Sequence, residues 1–299
     1  MRTMKTVIKT GGLPRTVARK YGKLKAELEK MRKVLVAFSG GVDSTFLLKV
    51  AADVLGKNVL AVTASSETYP GNEMMDARKL ARRLKVRHKV ISTHELNNPD
   101  FLSNPPERCY HCKKELFGTL ASIAREEGIS FVLDGSNHDD LLDFRPGAKA
   151  AKELGICSPL REAGLTKAEI RELSRHLKLP TWDKPSLACL ASRFPYHTQI
   201  EGKSLKRIGA AEEFLRQAGF RQVRVRHHGP VARVEIEPGE FPRFLKKGLP
   251  GRVSARFKEL GYDYVSLDLE GYRTGSMNET LKKKSLPAKG RSGRRENRS

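Results

Sequence analysis

A near-continuous apolar run, Lys33–Phe38 (KVLVAF), breaks off at Ser39-Gly40-Gly41-Val42-Asp43-Ser44 and passes directly into a helical stripe over Thr45–Leu55. No other stretch constrains the fold as strongly. An apolar run with no polar alternation is how a strand buried on both faces reads, and such strands belong to parallel sheets covered by helices. Phe46, Leu47, Val50, Ala51 and Val54 recur at helical spacing, and Gly56 stands where a C′ glycine belongs. Glycines at a strand-to-helix turn let the backbone approach a ligand closely. The helix N-terminus adds unpaired N–H groups and a positive dipole end, which suit an anion.

The alternation continues. Val59–Ala64, Val86–Ser92 and Ser130–Asp134 read as further strands, with helices over Asn72–Leu84 and Lys113–Glu127 between them. Strand and helix in strict alternation predict an α/β doubly wound parallel sheet. A helix over Gly147–Leu154 follows, then Thr166-Lys167-Ala168-Glu169, a capping box opening a helix with Ile170, Leu173 and Leu177 on one face. Residues 181–200 have no clear period but too much apolar content for disorder, which marks a functional segment. From Ser204 a helix (Leu205–Ala218) precedes two alternating strands, Phe220–Arg226 and Val231–Glu237. Short helices near 241–247 and 252–260 lead to a last strand, Tyr264–Leu269, so a smaller α+β domain is expected. The expected divisions are a basic segment 1–30, the main domain 31–198, the small domain 199–275 and a basic, disordered tail 276–299.

Composition narrows the class. With 38% apolar and 30% charged residues and a mean hydropathy of −0.50, the chain reads as a soluble globular protein, and no apolar run is long enough to span a membrane. No secretory signal is visible at the N-terminus, and four cysteines are too few for a disulfide framework, so a cytoplasmic setting is expected. Residues 1–33 carry a net charge of +9 and residues 281–299 of +7. Of the total of +23, only +7 therefore belongs to residues 34–280. Basic ends attract polyanions weakly and without specificity, and solvated, flexible ends are the plainer reading.

Within the turn, Ser39 and Ser44 add hydroxyl donors, whereas Asp43 beside a phosphate requires a cation between them, for which Mg²⁺ is the natural choice. A Walker A loop is excluded, since Lys49 lies well inside the helix. Asp134-Gly135-Ser136-Asn137 closes the fourth strand, at the end where open α/β sheets bind ligands; a simple helix N-cap is the alternative for Asp134. Cys109-Tyr110-His111-Cys112 supplies two ligands of a four-ligand zinc site, which would have to recruit Cys157 or His111, or forms a plain thiol pair. Cys189, unaided, reads as a small buried hydrophobe, although Lys184 and Arg193 flank it and favour a thiolate. Arg224 and Arg226 alternate along one strand, and Arg233, Glu235 and Glu237 share a face of the next. A ladder of ion pairs on a solvated sheet accounts for that pattern.

SGGxDS after a buried first strand resembles the PP-loop of the ATP pyrophosphatases, which split ATP into AMP and pyrophosphate to adenylate a substrate. Five further segments narrow the resemblance: RCYHCKK at Arg108–Lys114, Phe144-Arg145-Pro146-Gly147, Ser158-Pro159-Leu160, KPSLACLASR at Lys184–Arg193, and VRVRHHG at Val223–Gly229. Together they are similar to the LarE family of ATP-dependent sulfur transferases, over roughly residues 20–270. That resemblance implies ATP and Mg²⁺ as cofactors, with Ser39, Gly40, Gly41, Asp43, Ser44, Asp134 and Asn137 at the nucleotide. It implies a small-molecule nucleotide substrate, pyridinium-3,5-biscarboxylic acid mononucleotide, turned into a thiocarboxylate for a nickel-pincer cofactor, and assembly as a homo-oligomer. It places substrate phosphate on Arg224, Arg226 and Arg193, a metal on Glu212 and Glu235, and the reacting sulfur on Cys189. In the sacrificial form of the reaction Cys189 gives up its own sulfur. A three-cysteine set of Cys109, Cys112 and Cys189 would instead suit a [4Fe–4S] cluster with one open iron, and the CxxC pair favours that form. A PP-loop tRNA thiolase is the alternative reading, distinguished by whether deleting both basic tails abolishes activity. A catalytically silent nucleotide-binding module is disfavoured by the intact SGGVDS run.

Overall fold

The computed structural model describes residues 13–69, 71–142, 145–186, 188–279 and 281. The expected polyanion binding by the basic tails falls on residues 1–12 and 282–299, outside the described residues, as do Phe144 and Leu187 of the quoted segments.

Four parallel strands, β1 (Val34–Ala37), β2 (Val59–Ser65), β3 (Arg87–Ser92) and β4 (Phe131–Leu133), form the first sheet in the order β3-β2-β1-β4. Its helices are α1 (Arg15–Met31), α2 (Val42–Leu55), α3 (Gly71–Arg83), α4 (Pro99–Leu102), α5 (Arg108–Glu126), α6 (Gly147–Glu153), α7 (Pro159–Glu162) and α8 (Lys167–His176). The strand pleat sorts them into two layers. Val34 and Val36 point into a core with α1, α2, α3 and α8, whereas Leu35 points the other way, into a core with Phe117 and Leu120 of α5 and Ala151 of α6. The doubly wound sheet expected from the alternation is therefore present. Cys157 extends it by one rung: its N–H donates to Val132 O (2.9 Å) and its carbonyl accepts from Asp134 N (3.0 Å). The open β3 edge carries exposed Arg87 and Lys89, charges of the kind that keep edge strands from pairing with other chains.

The second unit holds α9 (Gly202–Gln217), α10 (Phe241–Phe244), α11 (Leu249–Glu259) and a three-stranded sheet ordered β5-β6-β7 (Val223–His228, Val231–Ile236, Tyr264–Leu267). β5 and β6 form the hairpin expected around Gly229-Pro230. β7 runs parallel to β6, and α10 and α11 supply the crossover that a parallel pair requires. Leu215, Val223, Val225, Phe257 and Tyr262 close its core. Between the units Phe101, Leu190, Phe194, Ile200, Leu205 and Ile208 form a separate apolar cluster.

Three boundaries differ from the sequence reading. Residues 15–31 are a helix whose Val17, Tyr21, Leu24 and Leu28 are buried in the first core, so this part of the basic N-terminus is structural. The charges occupy its outer face, and a charge count cannot see the stripe beneath them. α5 begins at Arg108 rather than Lys113, which puts Cys109 and Cys112 in its first turn, a register that their polar neighbours concealed. Residues 276–278 form a helical turn tied to the body, since Tyr196 Oη donates to Asn278 Oδ1 (2.8 Å), so the tail starts later than 276.

If α1 is part of the core, Leu28→Ala should cost about 2–5 kcal/mol, as large-to-small changes at fully buried sites do. Denaturant unfolding checks this, and a loss below about 0.5 kcal/mol, the scale of surface substitutions, would make α1 peripheral.

Candidate active site

The turn between β1 and α2 sits at the carboxyl end of the sheet. Gly40 adopts φ +71°, a left-handed conformation that glycine accepts without strain, and Gly41 caps α2. Ser39 Oγ and Ser44 Oγ lie 3.1 Å apart, and the Ser44 hydroxyl donates to Gly41 O (3.3 Å), closing the turn into a small cup. The chain leaving β4 presses against that cup. A Cβ on Gly135 would stand 3.1 Å from Ser44 N, so only glycine fits without displacing the helix end. Beyond it Asp134 accepts from the Ser136 hydroxyl (2.6 Å), and Asn137 donates from Nδ2 to Asp43 (3.5 Å). Asn137 thus meets the turn across Asp43, while Asp134 is held by Ser136 just before it.

One partner in this wall was not legible in the sequence. Lys167, the first residue of α8, places its ammonium on the Asp43 carboxylate, while its backbone N–H donates to Asp139 Oδ2 (2.8 Å). The capping box that locates α8 fixes Lys167 in space, but spacing alone does not connect residues 43 and 167.

The segment around Cys189 has little ladder or helix bonding, and its carbonyls need partners. Arginines supply them. Arg171 donates to Trp182 O and Lys184 O (both 2.8 Å), Arg224 to Ser186 O (2.6 Å) and Arg193 to Ala188 O (2.9 Å) and Cys189 O (3.1 Å). Arg108 donates to Ala191 O (3.1 Å) and Arg226 to Ser192 O (2.7 Å). Leu190 N bonds to Thr68 O (2.8 Å), pinning the segment beside the end of β2.

This arrangement changes what was expected of several residues. Lys184 and Arg193 do not face the Cys189 thiol. Lys184 reaches Gly40 O (3.3 Å) and Glu73 (3.4 Å), and Arg193 is fully buried in a bidentate pair with Glu212 (2.7 and 2.9 Å). Glu212 also accepts from Arg216 (2.7 Å) and Val225 N (3.1 Å), and Glu235 is clasped by Arg226 (2.8 and 3.0 Å) and Arg233 (3.3 Å). Glu212 accepts four hydrogen bonds, one for each lone-pair site, and Glu235 accepts three from two guanidinium cations, so the metal expected on Glu212 and Glu235 does not fit this arrangement. The ion-pair ladder exists but is buried rather than solvated, with Arg224 and Arg226 only 5% and 9% exposed. Burial, reinforced by neighbouring Arg193, brings the Arg224 pKa down to about 10. Arg226 also donates to Ser276 Oγ (2.8 Å), and with His228 and Arg233 it lines a cavity of about 250 Å³.

Cys109, Cys112 and Cys189 share one neighbourhood with Tyr69 and Glu95: Cys109 lies close enough to act on Tyr69, Cys112 and Cys189, and Glu95 on Tyr69 and Cys112. Cys112 Sγ lies 3.7 Å from Glu95 Oε1. Burial pushes the Cys112 thiol well above its ordinary range, with Cys189 and Glu95 adding to the effect. Burial likewise raises Cys189, opposed chiefly by the Arg108 guanidinium and by a Thr68 hydrogen bond. The cation that acts on Cys189 is therefore Arg108, from α5. No three His, Cys, Asp or Glu side chains among the described residues stand close enough to hold a metal ion as arranged. Cys157, on the far side of β4, is a structural rung of the sheet.

Glu212→Gln should remove about 3–5 kcal/mol, the cost of leaving buried guanidinium charge uncompensated. Burial raises the Glu212 pKa, but Arg193 and its fellows outweigh burial and the folded value is lowered. The stabilisation is thus complete above the unfolded carboxylate value and is lost as pH falls through the lower folded value. Thermal unfolding of both proteins from neutral to acid pH should show the gap closing at the acid end; a pH-independent gap contradicts the assignment.

The comparisons with known proteins agree with this geometry. The family model of the PP-loop domain matches residues 13–94, which includes α1. A Synechocystis protein without assigned function is 45% identical over 87% of this chain and 100% of its own length. The pyridinium-3,5-bisthiocarboxylic acid mononucleotide synthase of Lactiplantibacillus plantarum is 40% identical over 91% of this chain and 98% of its own. A tRNA-specific 2-thiouridylase from Bradyrhizobium is more distant, 28% identical over 51% of the chain and 48% of its own length. No helix among the described residues is long and apolar enough to cross a membrane. At that identity and coverage, with the PP-loop built as described, the chain belongs to the LarE family of ATP-dependent sulfur transferases within the PP-loop ATP pyrophosphatase superfamily.

Proposed function

We propose that this enzyme adenylates a carboxylate of pyridinium-3,5-biscarboxylic acid mononucleotide and converts it to a thiocarboxylate, the chemistry that leads to a nickel-pincer cofactor. The observation that carries the reading is the placement of two unlike features at the carboxyl end of the sheet: an anion cup at the end of β1, and an arginine-held cysteine beside the end of β2. The name of the Lactiplantibacillus relative supplies the substrate class.

The carboxylate oxygen attacks the α-phosphorus of ATP, and pyrophosphate leaves into the cup formed by Ser39, Gly40, Gly41 and Ser44. Asp43 would hold a phosphate-borne Mg²⁺, which would supply Lewis-acid charge at the leaving group, and Lys167, resting on Asp43, adds its ammonium charge beside the departing pyrophosphate. The Cys189 sulfur then attacks the activated carbonyl, AMP departs, and a thioester forms. Loss of the Cys189 Cα proton with cleavage of its Cβ–S bond leaves dehydroalanine and releases the thiocarboxylate. A second form, in which Cys109, Cys112 and Cys189 would hold a [4Fe–4S] cluster, requires these three thiols to draw closer together than they stand here. When bound, such a cluster supplies an extra sulfide in place of the cysteine sulfur. The distant likeness to a tRNA-specific 2-thiouridylase covers only about half of either chain, so the nucleic-acid reading comes second.

ATP labelled at the α- and γ-phosphates, with Mg²⁺ and the dicarboxylate substrate, should yield AMP and pyrophosphate; release of ADP overturns the assignment. Asp43→Asn and Lys167→Met should each slow adenylation by about 10²–10³, the scale on which removed electrostatic stabilisation acts. Cys189→Ala should keep pyrophosphate release and lose sulfur transfer. Intact mass after one turnover separates the two sulfur sources. A loss of one H₂S at residue 189 with Cys109→Ala still active establishes the sacrificial form, whereas iron and sulfide in anaerobically purified protein and dependence on all three cysteines establish the cluster.

A further inference from the structure

The segment that carries Cys189 is anchored by two kinds of cation. The carbonyls of Ser186, Ala188 and Cys189 rest on Arg224 and Arg193, whose guanidinium groups are buried and held from the second domain side, Arg193 by its bidentate pair with Glu212. Five residues before the thiol, Lys184 makes a contact of another character. Its ammonium leaves the segment and lies 3.3 Å from the carbonyl of Gly40, inside the PP-loop, and 3.4 Å from Glu73 and 4.0 Å from Asp76 on α3.

These partners are weak by comparison with a polyphosphate. One is a neutral carbonyl, and one, Asp76, is half-exposed and at the limit of pairing. The third, Glu73, is pushed upward in pKa by burial, against which Lys184 works, so it accepts a proton readily once the ammonium departs. A lysine head is a compact charge on a flexible stem, free to turn toward a stronger anion without moving its backbone far. Phosphate seated at Gly40 lies beside that head. A nucleotide's polyphosphate carries more than one negative charge, whereas the Gly40 carbonyl carries none and Glu73 carries at most one.

We propose that Lys184 is a positioning residue that couples nucleotide occupancy of the PP-loop to the presentation of the Cys189 thiol. The inference rests on the adenylation reading above and adds to it an order of events. In the free enzyme Lys184 braces the loop between Gly40 and Glu73, with the thiol held beside Thr68 and Arg108. When nucleotide fills the cup, Lys184 turns to phosphate, and the pull is taken up between Lys184 and the fixed carbonyl anchors on Arg224 and Arg193. Cys189, whose own carbonyl is the last of those anchors, changes the exposure of its thiol. The thiol is thereby offered to an acyl-adenylate rather than to solvent or to an unactivated carboxylate.

The test reads the thiol directly and does not require turnover. Reduced, full-length protein is treated briefly with iodoacetamide with and without α,β-methylene ATP and Mg²⁺. Labelling at residue 189 is followed by peptide mass spectrometry, and nucleotide binding is measured in parallel by calorimetry. Labelling at Cys109, on the exposed face of α5, serves as the internal reference. In the wild type, nucleotide should change the Cys189 labelling rate by about tenfold, the shift that about 1.4 kcal/mol of differential binding produces. Lys184→Gln should bind nucleotide yet show less than about a twofold response, and Lys184→Arg should restore part of it. A Lys184→Gln protein that keeps the full response overturns the proposal, as does a wild type that binds nucleotide with Cys189 labelling unchanged. Loss of nucleotide binding in Lys184→Gln also overturns it, making Lys184 a nucleotide ligand only. Failure of the wild type to bind nucleotide at all overturns the adenylation reading itself.

Discussion

The site depends on arginine side chains that substitute for secondary structure. Residues 182–192 run between the two domains with few backbone partners of their own, yet their carbonyls are satisfied by Arg171 from α8, Arg224 and Arg226 from β5, Arg108 from α5 and Arg193 from the segment itself. A guanidinium carries five donors in a rigid fork and keeps its charge when buried, so one residue can hold two carbonyls and a carboxylate together. Arg193 does this, bridging Ala188, Cys189 and Glu212 while excluded from solvent. A reactive cysteine is thus placed on an irregular segment without the looseness such a segment ordinarily has.

That solution has electrostatic consequences. Bringing Arg193, Arg216, Arg224 and Arg226 together is tolerable only because Glu212 and Glu235 lie among them. The two carboxylates are structural counter-charges in this arrangement. Substrate phosphate at Arg224 or Arg226 would compete with Ser186, Ser192 or Ser276 for guanidinium donors, so occupancy of the second domain and the conformation of the cysteine segment are linked. At the other end of the segment Lys184 makes the corresponding link to the PP-loop. Meanwhile burial raises both the Cys112 and the Cys189 thiols, and Arg108 works against that rise at Cys189.

The alternation of apolar runs and helical stripes was enough to read the doubly wound sheet, the β5–β6 hairpin and the capping box at Thr166, because each depends on local period and turn chemistry. The cup at Ser39–Ser44 was legible for the same reason: strand, glycine turn and helix are contiguous in the chain. α1 was hidden because its charged residues outnumber the apolar stripe they cover, and the start of α5 because RCYHCKK has no period to mark it.

What the chain alone determined, then, are the features made by neighbours in sequence: the sheet, the anion cup, the CxxC turn and the cysteine that stands in an irregular segment. The tertiary structure decided which charges meet. Lys167 on Asp43, Arg108 near Cys189, Arg193 on Glu212 and Lys184 on Gly40 are pairings across 124, 81, 19 and 144 residues, and no spacing rule reaches that far or that irregularly. Lys184, Arg193, Arg224 and Arg226 meet partners in the fold that their spacing did not announce, because a cation in a packed chain takes the unsatisfied acceptors within its reach. Here those acceptors are backbone carbonyls and carboxylates that only the packed chain brings together.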